Sequence, residues 1–147
     1  NEASMLIESY FQQYPGIQNY IDSTCSMARE KKYVETILGR RRPIWDADSD
    51  NGLRRQAAER MAINMPIQGS SAEMIKIAMI RIAEEISKLN LRSKLVLQIH
   101  DELIFEFPSE EEDVLVKLVI DKMENAMKLN VPIVVDYGIG NSWYEAH

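Results

Sequence analysis

Three charged or polar residues, His100-Asp101-Glu102, stand between two short apolar runs at residues 94–99 and 103–107. The runs are typical of antiparallel strands, so the sequence predicts a hairpin with these three residues at its tip. A carboxylate mounted there could bind a hard cation such as Mg²⁺, and two such ions roughly 3.5–4 Å apart can clamp the oxygens of phosphoryl transfer. One such turn is not enough for that chemistry, and Asp is common on ordinary hairpin turns, so both interpretations stay open.

A second pattern consists of three hydrogen-bonding side chains, Arg60, Asn64 and Gln68. At spacings of four residues they share one face of a predicted helix. Every base pair offers acceptors in its minor groove, so donors on this face could grip a duplex regardless of its sequence. Pro66 should kink the helix before Gln68, and an ordinary solvated face would show the same spacing, so this interpretation also stays open.

The elements that carry these residues begin with a helical segment. Apolar residues recur at helical spacing through residues 4–33, and Tyr14-Pro15-Gly16 interrupts the pattern, which predicts two helices. The β-branched run at residues 33–38, closed by Gly39, predicts a short strand or hairpin arm. Residues 46–52 are polar and predict a loop.

The helix predicted after this loop should break at Pro66 and Gly69. Ser70-x-x-Glu73 has the pattern of a capping box, which predicts a new helix that ends near Asn90. Its amphipathic stripe consists of Ile75, Met79, Ile82, Ile86 and Leu89.

A second capping box, Ser109-x-x-Glu112, predicts a helix to about residue 129, and residues 131–137 predict a final strand. Helices and strands in this order indicate an α+β fold. We expect an antiparallel sheet with a central hairpin, backed by helices and preceded by a helical N-terminal part.

Composition and charge set bounds on the function. Of the 147 residues 46% are hydrophobic, as in a globular protein, and neither a membrane-spanning run nor a signal peptide is expected. The single Cys25 cannot form an internal disulfide and predicts a reducing, cytoplasmic setting.

The net charge of −6 argues against a nucleic-acid partner. Residues 29–60, however, carry nine Lys/Arg against six Asp/Glu, a local charge of +3 that leaves −9 for the rest of the chain. Such a segment is compatible with phosphate binding, although most local charge excesses are only solvated surface.

Several stretches of the sequence occur together, and in this order, in one protein family. They are Tyr10-Phe11-x-x-Tyr14-Pro15-Gly16, Tyr33-Val34-Glu35-Thr36, Gly39-Arg40-Arg41-Arg42, Arg60-Met61-Ala62-Ile63-Asn64-Met65-Pro66-Ile67-Gln68-Gly69, Gln98-Ile99-His100-Asp101-Glu102, and Gly140-x-x-Trp143 with His147. Together they resemble the A-family DNA polymerases of the bacterial DNA polymerase I type. Residues 98–102 are similar to the family's third polymerase motif, and His147 resembles its natural C-terminus.

The resemblance implies a DNA-directed DNA polymerase, a nucleotidyltransferase of DNA replication and repair that acts as a monomer. A primer 3′-hydroxyl would attack the α-phosphate of a dNTP and release pyrophosphate, with Mg²⁺ in a two-metal site. Asp101 would be one of two metal-binding catalytic aspartates, and Glu102 would be an acid close to the metals. The residues implied to contact the minor groove of the primer–template duplex are Arg60, Asn64, Gln68 and His100.

The resemblance also implies that residues 1–45 are the end of the fingers subdomain and residues 46–147 the C-terminal part of the palm. Pro43-Ile44-Trp45-Asp46 departs from the family's aromatic-Leu-Pro-Asp run. The family's first motif, a D-Y-S-x-x-E-L-R type of stretch with the other metal aspartate, does not occur, nor does the fingers helix with its R-x-x-x-K-x-x-x-F-G pattern. We therefore expect the chain alone to be inactive.

Two other functions fit parts of the pattern. The first alternative is a non-catalytic module that binds duplex DNA through the helix of Arg60. The second is a metal-dependent phosphodiesterase built around Asp101 and Glu102, for which the expected further acids are missing. An upstream segment with the first aspartate motif would decide for the polymerase.

Overall fold

The computed structural model describes residues 2–146. Asn1 and His147 lie outside this range, and with His147 the residue that resembles the family's C-terminus. Helices and short antiparallel strands make up the described part, so the predicted α+β class is confirmed. In chain order the elements are α1 (Glu2–Gln13), α2 (Pro15–Lys31), β1 (Tyr33–Glu35), β2 (Arg41–Pro43), α3 (Gly52–Lys88), β3 (Lys94–Ile99), β4 (Glu102–Glu106), a 3₁₀ turn (Ser109–Glu111), α4 (Glu112–Glu124) and α5 (Trp143–Ala146).

The chain divides after Ser70 into two compact units, called the N-terminal and the C-terminal unit below. Each unit contains one two-stranded antiparallel sheet, β1–β2 in the first and β3–β4 in the second. Among the helices of the described part, none is long and apolar enough to cross a membrane.

The predicted interruption of the first helical segment is confirmed. Tyr14 has a non-helical backbone, and Pro15 starts α2, where its missing N–H is no loss because the first amides of a helix have no partner within it. α2 ends at Lys32 in the left-handed conformation (φ 60°), and the Lys32 N–H donates to the Ala28 carbonyl. The hairpin arm that follows is also confirmed, with Gly39 at φ 82° between β1 and β2.

Small side chains form much of the core of the N-terminal unit. The buried cluster consists of Ala28, Val34, Ile44, Ala47, Ala58 and Ala62. Because alanines occupy the contact face of α3, this helix can lie close to β1. Gly69 continues the same face: a Cβ built there would lie 2.7 Å from Cγ2 of Thr36. Gly69 therefore allows a close approach.

The predicted break at Pro66 and Gly69 is wrong, because α3 is one helix of 37 residues that contains Pro66. The predicted capping box is also wrong, since Ser70 lies inside this helix. The Ser70 hydroxyl donates to the Pro66 carbonyl and accepts from the Ile37 N–H. The hydroxyl that the sequence pattern assigned to a helix cap is therefore used in one bond within the helix and in one bond to the turn after β1.

The predicted end of this helix near Asn90 is confirmed. Asn90 adopts the left-handed conformation (φ 53°). Its N–H donates to the Ser87 carbonyl, and the Leu91 N–H donates to the Ile86 carbonyl at 3.0 Å. This pair of bonds is the Schellman motif, in which Asn can replace the usual glycine.

The core of the C-terminal unit lies between the second half of α3, strand β4 and α4. Its buried members are Ala78, Ile82, Leu118 and Ala126, with Leu103 and Phe105 of β4 packed against them. The predicted stripe is confirmed at Ile82 and Ile86, whereas Leu89 is exposed, because it follows the last helical residue.

The second predicted capping box is wrong as well. Neither Ser109 nor Glu112 caps α4, which starts after a 3₁₀ turn and ends at Glu124 instead of about residue 129. Glu111 accepts hydrogen bonds from the backbone N–H groups of Arg92 and Ser93, each at 2.9 Å. These bonds, with that of the Ser93 hydroxyl, lower the pKa of the Glu111 carboxyl. The glutamate therefore fastens the start of α4 to the segment before β3.

The final strand predicted at residues 131–137 is not formed, because residues 132–140 have neither helical nor strand hydrogen bonding. The Val135 N–H donates to the Glu124 carboxylate at 3.2 Å. Val131 and Val134 are largely exposed. A run of β-branched residues favours an extended chain, but a strand also needs a partner, and none of the strands within residues 2–146 pairs with this segment.

Candidate functional site

The three hydrogen-bonding residues of the predicted helix face lie in the N-terminal unit. Arg60, Asn64 and Gln68 are all exposed, and α3 runs through all three without a break. The face of α3 that carries Ala58 and Ala62 is buried in the core of this unit. The three side chains therefore form one polar row along the outer side of the helix, called the polar row below.

Contacts from α2 and from the turn after β1 hold the backbone of this stretch. The Tyr20 hydroxyl donates to the Ile63 carbonyl at 2.8 Å, and the Ile37 N–H donates to the Ser70 hydroxyl at 3.0 Å. The Tyr20 phenol is protonated at neutral pH, as an ordinary phenol is, and burial raises its pKa further. This role of Tyr20 was not predictable, because a tyrosine at helical spacing with Ile17 and Ile21 gives no sign of a contact 43 residues along the chain.

The candidate metal-binding turn lies in the C-terminal unit. Ile99 pairs with Glu102, so the hairpin tip has two residues, His100 and Asp101, where three were predicted. His100 has φ 53°, a left-handed conformation in which His is several-fold enriched among non-glycine residues. The Gln98 side-chain amide donates to the His100 carbonyl at 3.0 Å and supports this turn.

The two carboxylates of the motif differ in their surroundings. Asp101 is exposed on the turn, whereas Glu102 is half-buried as the first residue of β4. Oxygen donors of this kind fit a hard divalent cation, which retains water ligands when the protein offers few carboxylates. Residues 2–146 contain no group of three or more His, Cys, Asp or Glu side chains that could hold a metal ion. These residues therefore fit part of a cation site.

A groove of about 1070 Å³ opens beside this turn in the C-terminal unit. Its lining includes Asp101 and Glu102 together with apolar side chains such as Phe105 and Val119. The segment of residues 133–146 forms part of its wall. The groove was not predicted, because much of this segment was expected to be a strand. Gly138 approaches Ala146 so closely that a Cβ there would overlap the Ala146 carbonyl, and in the sequence only the glycine itself marked this approach.

The basic segment of the N-terminal unit is partly neutralised within the unit. Ion pairs join Arg29 to Glu59 and Lys32 to Asp48. Arg41 pairs with Glu35 at 3.3 Å, and its guanidinium lies 4.5 Å from the ring centroid of Tyr33. The local charge excess therefore gives less support to phosphate binding than the residue count suggested.

Comparison with known proteins decides the family. The family model described as DNA polymerase family A matches residues 1–145. The chain belongs to DNA polymerase family A. The predicted resemblance is confirmed over nearly the whole chain.

Relatives of this A-family chain include DNA polymerase I of Caldicellulosiruptor bescii, 45% identical over 144 residues, which are 98% of this chain and 17% of that protein. DNA polymerase I of Lactococcus lactis subsp. lactis is 48% identical over 145 residues, or 99% of this chain and 16% of the relative. The chain thus spans about one sixth of the length of these relatives.

A solved structure gives the same result for the fold. The POL domain of Pol1 from M. smegmatis, in complex with DNA primer-template and dNTP, matches with a TM-score of 0.96 and 45% sequence identity. The match covers 99% of this family A chain and 26% of the solved one.

Proposed function

We propose that the chain is the C-terminal fingers and palm part of a DNA-directed DNA polymerase of replication and repair. The observation that carries the proposal is the match, at 45% identity and over 99% of the chain, to a polymerase domain that was solved with primer-template and dNTP. The reaction joins the primer 3′-oxygen to the α-phosphorus of a dNTP, and the bond to pyrophosphate breaks.

The polar row is the proposed contact to the duplex. The exposure of Arg60, Asn64 and Gln68 on a continuous helix supports this role, because three donors at one-turn spacing can reach successive minor-groove acceptors. His100, exposed at the hairpin tip, is proposed to contact the same groove. Binding through these contacts would depend on the shape of the duplex and not on its sequence.

Asp101 is the proposed metal ligand and catalytic residue, and Glu102 is the neighbouring catalytic acid. When bound, Mg²⁺ ions in a two-metal site supply charge neutralisation for the transferred phosphate. Asp101 contributes an exposed carboxylate on a turn whose backbone is fixed by Ile99–Glu102 pairing. The other metal-binding aspartate is proposed to come from a part of the polymerase outside this chain.

The assignment of residues 1–45 to the fingers and residues 46–147 to the palm is part of the same proposal. The boundary between the compact units lies elsewhere, after Ser70, within the long helix α3. Action as a monomer and a cytoplasmic location also belong to the proposal; the latter is supported by the single Cys25, which is buried as a free thiol.

Binding of duplex DNA tests the polar row. Arg60→Ala in the full-length polymerase should weaken the affinity for primer–template about tenfold or more, as expected for a lost minor-groove donor. Fluorescence anisotropy with labelled duplexes of several sequences measures the change, which should be the same for each sequence. Lys88→Ala is the matched control, since it removes one positive charge from the far end of the same helix. Equal affinities of Arg60→Ala and wild type would contradict the assignment.

An activity assay of the purified chain by itself distinguishes one part of a polymerase from an enzyme that is active on its own. Incubated with primer–template, dNTPs and Mg²⁺, it should add no nucleotide, because its described residues supply only part of a cation site. Primer extension on a denaturing gel is the measurement, with a full-length A-family polymerase as the positive control. Extension by the chain would show that it carries a complete active site. Duplex binding without any activity in the full-length protein would favour the alternative, a non-catalytic DNA-binding module.

A further inference from the structure

Pro66 lies in the interior of α3, where a proline is costly. It has no N–H to donate to the Ala62 carbonyl, and its ring presses against that carbonyl, so a proline usually kinks or breaks a helix. α3 nevertheless continues from Gly52 to Lys88. The backbone around this proline is held by further hydrogen bonds within the N-terminal unit.

Two such contacts hold the backbone on either side of the proline. Before it, the Tyr20 hydroxyl donates to the Ile63 carbonyl at 2.8 Å from the half-buried face of α2. After it, the Ser70 hydroxyl donates to the Pro66 carbonyl and is itself bound by the Ile37 N–H at 3.0 Å. Both contacts belong to the N-terminal unit, and both reach α3 from parts of the chain more than 30 residues earlier.

The held stretch is the one that carries the polar row. Ile63 directly precedes Asn64, and Gln68 lies between Pro66 and Ser70. In a helix each residue turns by about 100°, so a local change of backbone at Ile63 would rotate the adjoining Asn64 out of line with Arg60. Small misplacements of groups that must meet a ligand together can reduce function strongly.

We infer that Tyr20 is a positioning residue for DNA binding: through the Ile63 carbonyl it holds Asn64 in line with the rest of the polar row. This inference rests on the proposed function of that row. This role requires no contact between Tyr20 and the duplex, because its hydroxyl fixes the backbone to which Asn64 is attached.

The test uses the full-length polymerase with Tyr20→Phe, Asn64→Ala and the double variant. Tyr20→Phe should weaken primer–template binding about three- to tenfold, the range that corresponds to one hydrogen bond. It should leave kcat at saturating DNA nearly unchanged. In the Asn64→Ala background, Tyr20→Phe should have almost no further effect, because the side chain through which it acts is gone.

Tyr14→Phe is the matched control, since Tyr14 lies in the same unit and its ring contacts that of Tyr10. It should bind DNA like wild type. Thermal unfolding of all variants, with binding measured well below each midpoint, separates a loss of folded protein from a loss of affinity.

The outcomes separate the inference from the proposed function. If Asn64→Ala weakens DNA binding but Tyr20→Phe does not, the polar row is supported and the positioning role is refuted. If Tyr20→Phe weakens binding equally with and without Asn64, Tyr20 acts on the fold in general and the inference is wrong. If Asn64→Ala binds DNA normally, the proposed role of that residue and the inference both fail.

Discussion

Replacement of Asp101 by Asn in the full-length polymerase should lower the rate of nucleotide addition by about a thousandfold while primer–template still binds. Asn keeps the size of the side chain and its fit to the hairpin turn but removes the negative charge that a divalent cation needs. The loss of a preorganised electrostatic contact at a reacting centre typically reduces kcat by about a hundred- to a thousandfold, and a metal ligand belongs at the upper end.

Single-turnover primer extension measures the chemical step, and anisotropy with the same duplex measures binding. Asp113→Asn is the matched control, because Asp113 is an exposed aspartate of the same unit, in the first turn of α4. It should extend primers at the wild-type rate. Wild-type turnover by the Asp101 variant would refute its assignment as a catalytic metal ligand, whereas a loss of DNA binding would point to a structural role of the hairpin.

Ile82→Ala should cost about 2–5 kcal/mol in the free energy of unfolding, the range for truncation of a large buried aliphatic side chain. Ile82 is 0% exposed and packs with Ala78, Leu118 and Ala126 in the core of the C-terminal unit. The cavity left behind would lie between α3 and the elements that support the hairpin.

Urea unfolding followed by circular dichroism measures this change. Ile80→Ala removes the same atoms from the same helix at a side chain that is 60% exposed, so it should change stability by less than about 0.5 kcal/mol. Equal effects of the two substitutions would show that the proposed core does not carry the stability of this unit.

Features that depend on a few neighbouring residues were predictable from the sequence. Pro15 marks the start of α2 because a proline fits the first helical position, and Gly39 and Asn90 mark turns because both tolerate a positive φ. The outward position of Arg60 and Asn64 followed in the same way from the period of the helix.

Features that depend on distant contacts were not predictable in this way. α3 continues through Pro66, and the stretch around it is bonded to residues more than 30 positions earlier: the Ile63 carbonyl to the Tyr20 hydroxyl, and the Ser70 hydroxyl to the Ile37 N–H. The Ser109 pattern fails because Glu111 binds amides 18 and 19 residues earlier. The two-residue tip depends on the left-handed backbone of His100. The sequence did not indicate this conformation, because the position holds neither glycine nor asparagine.

The β3–β4 hairpin has a further consequence for work with the isolated chain. Within residues 2–146 these strands pair only with each other, so each has one edge of unpaired backbone groups, and Val96 and Leu97 beside them are about half exposed. Such edges are templates for pairing between molecules, and the charged residues of the ladder, Lys94, Glu102 and Glu106, lie only at its ends. We therefore expect the same hairpin that presents Asp101 to contribute to association between molecules of the isolated chain.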